Sequence, residues 1–419
     1  DNLTWIPPPP AIPVMSLLRP DIGSTSNINY LSKLPIEIWR EIFLAIPWHP
    51  SLMSDESTDP LRFLSTALPS PDVFRNTHRE RLSLLTVCKA LLPFAEESLY
   101  SRVGLTTWEL KNGDSTFREA AMSPLRGSQM RRGEVTTHLW VITTYSSGDS
   151  LQSYPLDLHL ILPNLRSLYQ EDEDCVVVNP DKLLSKRGFR GITTLSLGCI
   201  ELTWQELKAV ALSFPKLTVL KANPDVYAGR SDGSITFPFL ETLVIDPWFG
   251  DDLPLHKLNL PSLRWLSMGG VLGPESILPY PLLKSIGRNL VGVELGESSA
   301  DAFTALHKSI LDNAPNLKTL IFHLSGKEPG TISISSHNLE HLSISVSEWS
   351  YHKYRPSDLK AYLYNLASSD DFPSLDRITI VFEDAYTNSM LNEEATNLVD
   401  VAKEIFSSKL VKGTGRRLS

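Results

Sequence analysis

The chain has 419 residues, 42% of them apolar and 21% charged, an ordinary globular balance that excludes a wholly disordered or collagen-like polymer. Its 39 basic residues against 48 acidic ones leave a net charge of −9, which argues against a protein that tracks nucleic-acid phosphates. There is no apolar run of about eighteen residues, the length a membrane-spanning helix needs. Cys88, Cys175 and Cys199 are too few and too scattered for a disulfide framework or a zinc site. They point to a reducing compartment, cytoplasm or nucleus, and the lone Asn2-Leu3-Thr4 sequon does not overturn that. Asp1 stands where a start methionine would, as in a fragment or processed chain.

Residues 1–28, with Pro7-Pro8-Pro9-Pro10, read as an extended or disordered segment. A helical unit is expected over 29–105. Pro35 suits a first helical turn, Glu37 and Glu41 favour the positive end of the dipole, and Leu34, Ile38, Ile42 and Ile46 recur every fourth residue beside Phe43. The five prolines between 47 and 76 mark an inserted surface loop. Thr77 and Glu80 have capping-box spacing ahead of a second helix that carries Leu82, Leu85, Val87, Cys88, Lys89 and Leu92.

Leu34-Pro-Ile-Glu37-Ile38-Trp-Arg-Glu-Ile42-Phe43 resembles the opening of an F-box, and Val87-Cys88-Lys89 resembles its second half. Ala90-Leu91 stand where a tryptophan commonly follows. Leu99-Tyr100-Ser101-Arg102-Val103 resembles the strand that joins an F-box to its repeats in fungal members. The resemblance implies that Leu34, Pro35, Glu37, Ile38, Ile42, Phe43, Val87, Cys88 and Lys89 bind a Skp-family adaptor, and through it a cullin. The residues themselves leave an alternative: these apolar side chains face the first repeat of the array that follows, as its end cap. Cys88, by helical phase, also reads as a buried small hydrophobe.

Residues 106–134 read as a linker or a first irregular repeat. From 135 to 383 a phrase of the form Pro-x-Leu-x-x-Leu-x-apolar recurs nine times, beginning at Leu165, Ile192, Leu217, Leu240, Leu263, Leu290, Leu317, Leu339 and Leu375. The steps are 27, 25, 23, 23, 27, 27, 22 and 36 residues. All but the last lie in the leucine-rich-repeat range of roughly 20–29. The alternative is ordinary α/β patterning. The closing positions of each phrase alternate as in a strand buried on one face. Thr203–Phe214 and Ser299–Asn313 have helical spacing between phrases, and each proline stops a helix ahead of the next strand. The expected fold is therefore α/β: a small all-α unit followed by a leucine-rich-repeat solenoid. The array resembles the irregular repeats of F-box proteins, with Leu195 to Leu207 nearest the cysteine-containing subtype and Cys199 as its turn residue. Most units lack the Asn or Cys that follows the strand, so a less regular arc is expected.

Strand positions alternating with the leucines are expected to be exposed on the concave side and to hold a protein substrate. They include Tyr169, Lys221, Trp265, Glu294, Ile321, His323 and His341, with Trp265 and Ile321 as apolar anchors. Residues 384–419 are expected to form a capping helix, with Leu391, Leu398 and Ile405 on one face, and a frayed basic tail.

No Gly-x-Gly-x-x-Gly, Walker or His-Glu-x-x-His pattern occurs. His49, His138, His307, His323 and His341 lack metal-ligand spacing among themselves, and Glu171–Asp174 reads as a solvated turn. No catalytic residue, metal or cofactor is expected. By its resemblance the chain would be the substrate-recognition subunit of a Skp-cullin-F-box ubiquitin ligase, with no nucleic-acid or membrane partner. The alternatives are a free-standing repeat scaffold and an enzyme on an unusual α/β fold.

Overall fold

The computed structural model describes residues 35–45, 82, 85, 91–106, 114–142, 158–171, 190–224, 233–245, 257–268, 280–298, 310–324, 338–346, 373–382 and 410–415. In chain order the elements are α1 (Ile36–Ala45), α2 (Leu92–Tyr100), β1 (Arg102–Thr106), α3 (Asp114–Met122), α4 (Arg132–Val135), β2 (His138–Ile142), α5 (Leu158–Ile161) and β3 (Ser167–Glu171). There follow β4 (Thr194–Leu202), α6 (Trp204–Ser213), β5 (Val219–Pro224), β6 (Ile235–Thr236), β7 (Thr242–Ile245), β8 (Leu258–Asn259), β9 (Trp265–Met268) and α7 (Tyr280–Ile286). The last are β10 (Gly292–Ser298), β11 (Thr319–Leu324), β12 (His341–Val346), β13 (Arg377–Phe382) and β14 (Leu410–Gly415).

Twelve of these strands form one sheet in the order β1-β2-β3-β4-β5-β7-β9-β10-β11-β12-β13-β14, every pair parallel. Each strand sits beside the one a repeat earlier, so the chain advances in one direction without returning. That order, at the repeat spacing of the leucines, is the architecture of a leucine-rich-repeat solenoid.

Register explains the leucines. Val103, Leu139, Leu168, Leu195, Leu220, Leu243, Leu266, Val293, Leu320, Leu342, Ile378 and Val411 occupy one continuous row across the sheet. From Leu139 to Ile378 every member of the row is at most 4% exposed. A second row two residues on, including Ile245, Met268, Leu295, Phe322 and Ile344, is buried with it in a single core. No repeat holds such a face alone; each buries it against its neighbours.

The crossovers close the core in two ways. α6 does so as a helix: Thr203 Oγ1 accepts from the amide of Glu206 at 3.2 Å, and the Glu206 carboxylate accepts from the amide of Thr203 at 2.7 Å, a capping box that starts the expected helix. Between β5 and β9 the short parallel pair β6-β8 does the same work, with Phe237, Leu258 and Leu260 buried.

The prolines of the recurring phrase are exposed in the turn before each strand, at 163, 215, 238, 261, 315 and 373. The unspecified residue next to that position, in phrases with and without the proline, turns out to matter. Asn164 donates to the carbonyl of Glu134 (2.7 Å), Ser262 to Pro238 (2.7 Å), Asn289 to Pro261 (2.9 Å), Asn316 to Arg288 (2.8 Å) and Asn338 to Pro315 (2.6 Å). Each side chain reaches the equivalent carbonyl of the preceding repeat. An Asn is expected after the strand; the ladder instead runs ahead of it, each side chain supplying a donor to a carbonyl of the preceding repeat.

Several expectations change. Leu99 and Tyr100 end α2 rather than begin a strand, and the strand starts at Arg102. The sheet begins with β1, ahead of 135, and residues 114–135 supply the crossover helices α3 and α4 of a first repeat. Cys199 lies inside β4 rather than in a turn, and Glu171 ends β3. Residues 410–415, expected in a frayed tail, add the final strand. The Ser299–Asn313 helix is described only at its last turn, and the expected helix over 391–406 lies outside the described residues.

Candidate functional site

At the amino-terminal end, α1 packs on α2. Phe43, Leu91 and Ala95 are buried together, with Trp39, Leu85 and Phe94 packed partly against them. Two polar links fix the pair: Arg40 Nε donates to Glu97 at 2.9 Å, and Ser98 Oγ donates to the carbonyl of Phe43 at 2.8 Å. The hydrogen bond and charge of Glu97 hold the Arg40 guanidinium above its usual pKa. Phe43 therefore serves the unit's own core. Ile38 and Ile42, one turn apart on the other side, remain 44% and 40% exposed, and Pro35 and Glu37 are exposed beside them. Leu34, Val87, Cys88 and Lys89 lie outside the described residues.

The far end of α2 is tied to the first repeat. The buried Glu96 carboxylate accepts from Arg132 Nη2 at 2.6 Å and Nε at 3.1 Å, and from the amide of Arg126 at 2.9 Å. The Arg132 guanidinium lies 4.8 Å from the centre of the Tyr100 ring. Burial pushes the Tyr100 phenol above its usual pKa, against the lowering effect of Arg132.

The outward face of the sheet carries two rows flanking the leucine row. One runs Arg102, His138, Ser167, Thr194, Val219, Thr242, Trp265, Gly292, Thr319, His341, Arg377 and Leu410. The other runs Gly104, Trp140, Tyr169, Ser196, Lys221, Val244, Ser267, Glu294, Ile321, Ser343, Thr379 and Lys412. All seven residues singled out from sequence fall on this face: six in these rows and His323 two residues beyond Ile321 on β11.

Their exposure is not what alternation alone implies. Tyr169 (1%), Ile321 (3%), Glu294 (5%) and His341 (7%) are buried, while Lys221, Trp265 and His323 are half-buried. Parallel strands stand only about 4.8 Å apart, so large side chains in one row cover each other. Trp140 and Tyr169 show this directly, stacked at 4.9 Å with their planes 7° apart, and His138 stacks on Trp140 at 5.9 Å.

Three further groupings lie on this face, one apolar and two polar. Val244 and Ile321 form a small apolar cluster with Trp265. Next to it Glu294 accepts from Ser267 Oγ at 2.7 Å and pairs with His323 Nε2 at 3.0 Å; farther on, His341 Nε2 and Thr379 Oγ1 are 2.8 Å apart. In the first of these the carboxylate sits between hydroxyl and imidazole. The imidazole is not bonded to the serine, so the order differs from nucleophile, base and orienter. Among the described residues there is no group of three or more side chains able to hold a metal ion, and no helix is long and apolar enough to cross a membrane.

No protein-family model matches the chain, and no curated protein matches it. Solved structures do. A TLR13–ssRNA13 complex is 13% identical with a TM-score of 0.35; the match covers 67% of this chain and 42% of that one. An internalin (inlF) from Listeria monocytogenes is 12% identical with a TM-score of 0.32, covering 81% of this chain and 90% of that one. The match thus spans somewhat less than half the length of the first. The solenoid assignment stands on its own strand order and repeat spacing.

Proposed function

We propose that this protein is a non-catalytic recognition subunit. Its amino-terminal helices would dock a Skp-family adaptor and so a cullin-based ubiquitin ligase, and the outward face of its sheet would hold a protein substrate. The observation that carries the first half is the pair Ile38 and Ile42. They sit on a helix whose other side is already filled by Phe43, Trp39, Leu91 and Ala95, so the unit's own core does not use them. An exposed apolar pair at helical spacing suits packing into a groove of a partner. Pro35 and Glu37, exposed beside them, extend the same surface. In this reading catalysis belongs to the recruited conjugating enzyme, and the chain supplies proximity.

The test is co-purification of the full chain with a Skp-family adaptor. Ile38→Asp and Ile42→Asp should each abolish the complex and leave the melting temperature unchanged, because both residues are exposed. Absence of a complex with the unaltered chain, or a complex indifferent to both changes, would defeat the reading.

A second reading has its own support. The Glu96–Arg132 pair and the Thr136 hydroxyl bonded to the Tyr100 carbonyl at 2.9 Å lock α2 to the first repeat. Solenoids need such end caps. Under that reading the helices only cap a free-standing scaffold, and adaptor binding is absent while removal of residues 1–100 causes aggregation.

A further inference from the structure

The turns that lead into the strands differ in charge from the chain as a whole. From Arg166 to Lys318, the residue just ahead of each main-sheet strand donates its amide to the carbonyl of its counterpart one repeat earlier, at 2.8 to 2.9 Å. Seven turns are stacked on this ladder, which at about 4.8 Å per strand runs roughly 29 Å along one edge of the solenoid. The four residues ahead of these strands hold six exposed cations, Arg166, Arg190, Lys216, Arg264, Arg288 and Lys318, against one exposed carboxylate, Glu241. In the whole chain acids outnumber bases 48 to 39. Lys318 is held by Glu340 at 2.7 Å; the other five cations form no ion pair among the described residues. Past Lys318 the edge turns acidic, with Glu340 and Asp376 exposed. On the adjoining helix ends the exposed Lys284 and Asp312 offset each other.

The same edge carries the large apolar side chains that the repeats leave outside. Among the described residues from 135 to 383 these are Leu160, Leu212 and Phe239, at 65%, 76% and 57% exposed. Phe239 occupies the middle turn, between those of Lys216 and Arg264. Leu160 in α5 and Leu212 in the last turn of α6 each stand five residues ahead of the first leucine of a phrase, where the helix gives way to this edge.

We infer that this edge docks on an anionic lipid membrane. Phe239 enters the headgroup layer, Leu160 and Leu212 border it, and the flanking arginines and lysines meet the negative headgroups. Charge complementarity favours an anionic surface. The apolar side chains favour lipid over an acidic protein segment, because they protrude, and a fluid interface receives them without a shaped pocket. The contact is peripheral, since no helix among the described residues is long and apolar enough to cross a membrane. It adds a membrane surface to the protein partners that the sequence resemblance implies and does not depend on the adaptor reading.

The test is co-sedimentation of the full chain with vesicles of phosphatidylcholine alone, and of phosphatidylcholine and phosphatidylserine in equal parts. Binding should require phosphatidylserine and weaken with added salt. Arg264→Gln and Arg288→Gln should each weaken it about fivefold. Phe239→Ser should weaken it roughly tenfold. All three residues are exposed, so the melting temperature should not move. Equal binding to both vesicles, no binding to either, or binding indifferent to all three changes overturns the inference. Binding to poly-glutamate that survives Phe239→Ser, without binding to the acidic vesicles, assigns the edge to an acidic protein partner and overturns the lipid occupant.

Discussion

The indole of Trp265 lies across Gly292, its neighbour on the next strand, in the space that a β-carbon at 292 would occupy. The glycine is there for the close approach of a side chain rather than for a turn. It makes room for Trp265 over the row, where the side chain packs against Val244 and Ile321.

Gly292→Ala should therefore push the indole off the face, at a cost of about 1–3 kcal/mol from overpacking. Urea unfolding of G292A, Trp265→Ala and the double variant would show it. The two changes together should cost less than their sum, because the double variant has no ring to displace. Additive costs would mean that the indole is not what Gly292 accommodates.

Asn316 links two repeats through one hydrogen bond to the Arg288 carbonyl. Asn316→Ala should lower stability by about 1 kcal/mol. The four equivalent rungs, at Asn164, Ser262, Asn289 and Asn338, should behave alike, with smaller losses than any change in the leucine row. A loss as large as that of Leu320→Ala, for which about 2–5 kcal/mol is expected, would contradict this.

Glu96 is 4% exposed and accepts from both Arg132 and an Arg126 amide. Glu96→Ala strands a guanidinium in a mostly buried site and should cost about 3–5 kcal/mol, whereas an Ala exchange at the exposed Glu37 should be neutral. Chemical denaturation would read the difference. A near-neutral Glu96→Ala would show that α2 is not anchored through this pair.

Alkaline sensitivity follows from Tyr100. Burial raises its pKa above the ordinary value of 10.0, so the folded state keeps the phenol proton longer than the unfolded chain does. Its contribution is fully present below pH 10 and is lost as pH rises through the folded value. Tyr100→Phe should flatten the fall in melting temperature above pH 10. An unchanged alkaline slope would rule the phenol out as a contributor.

By itself the sequence determined the repeat. Leucine spacing marks the buried row, because burying that row against a neighbour is the only way a unit of some 25 residues covers its apolar face. It also marked α1 and α6, whose apolar spacing and caps are local. It placed seven candidate side chains on the outward side of the sheet, since alternation along a strand is a property of the backbone.

Tertiary structure decided what register and neighbours decide. Whether an outward residue is exposed depends on the side chains one strand away, which is why Tyr169 disappears beneath Trp140 while Arg377 stays open. Gly292 reads as a weak strand residue until Trp265 is set beside it. The Asn ladder was invisible because its acceptors are carbonyls 23 to 30 residues earlier, and no local pattern says which distant backbone group a side chain will meet. Ile38 and Ile42 share their periodicity with Phe43, and only the packing of α2 against α1 separates the residue kept inside from the two left exposed.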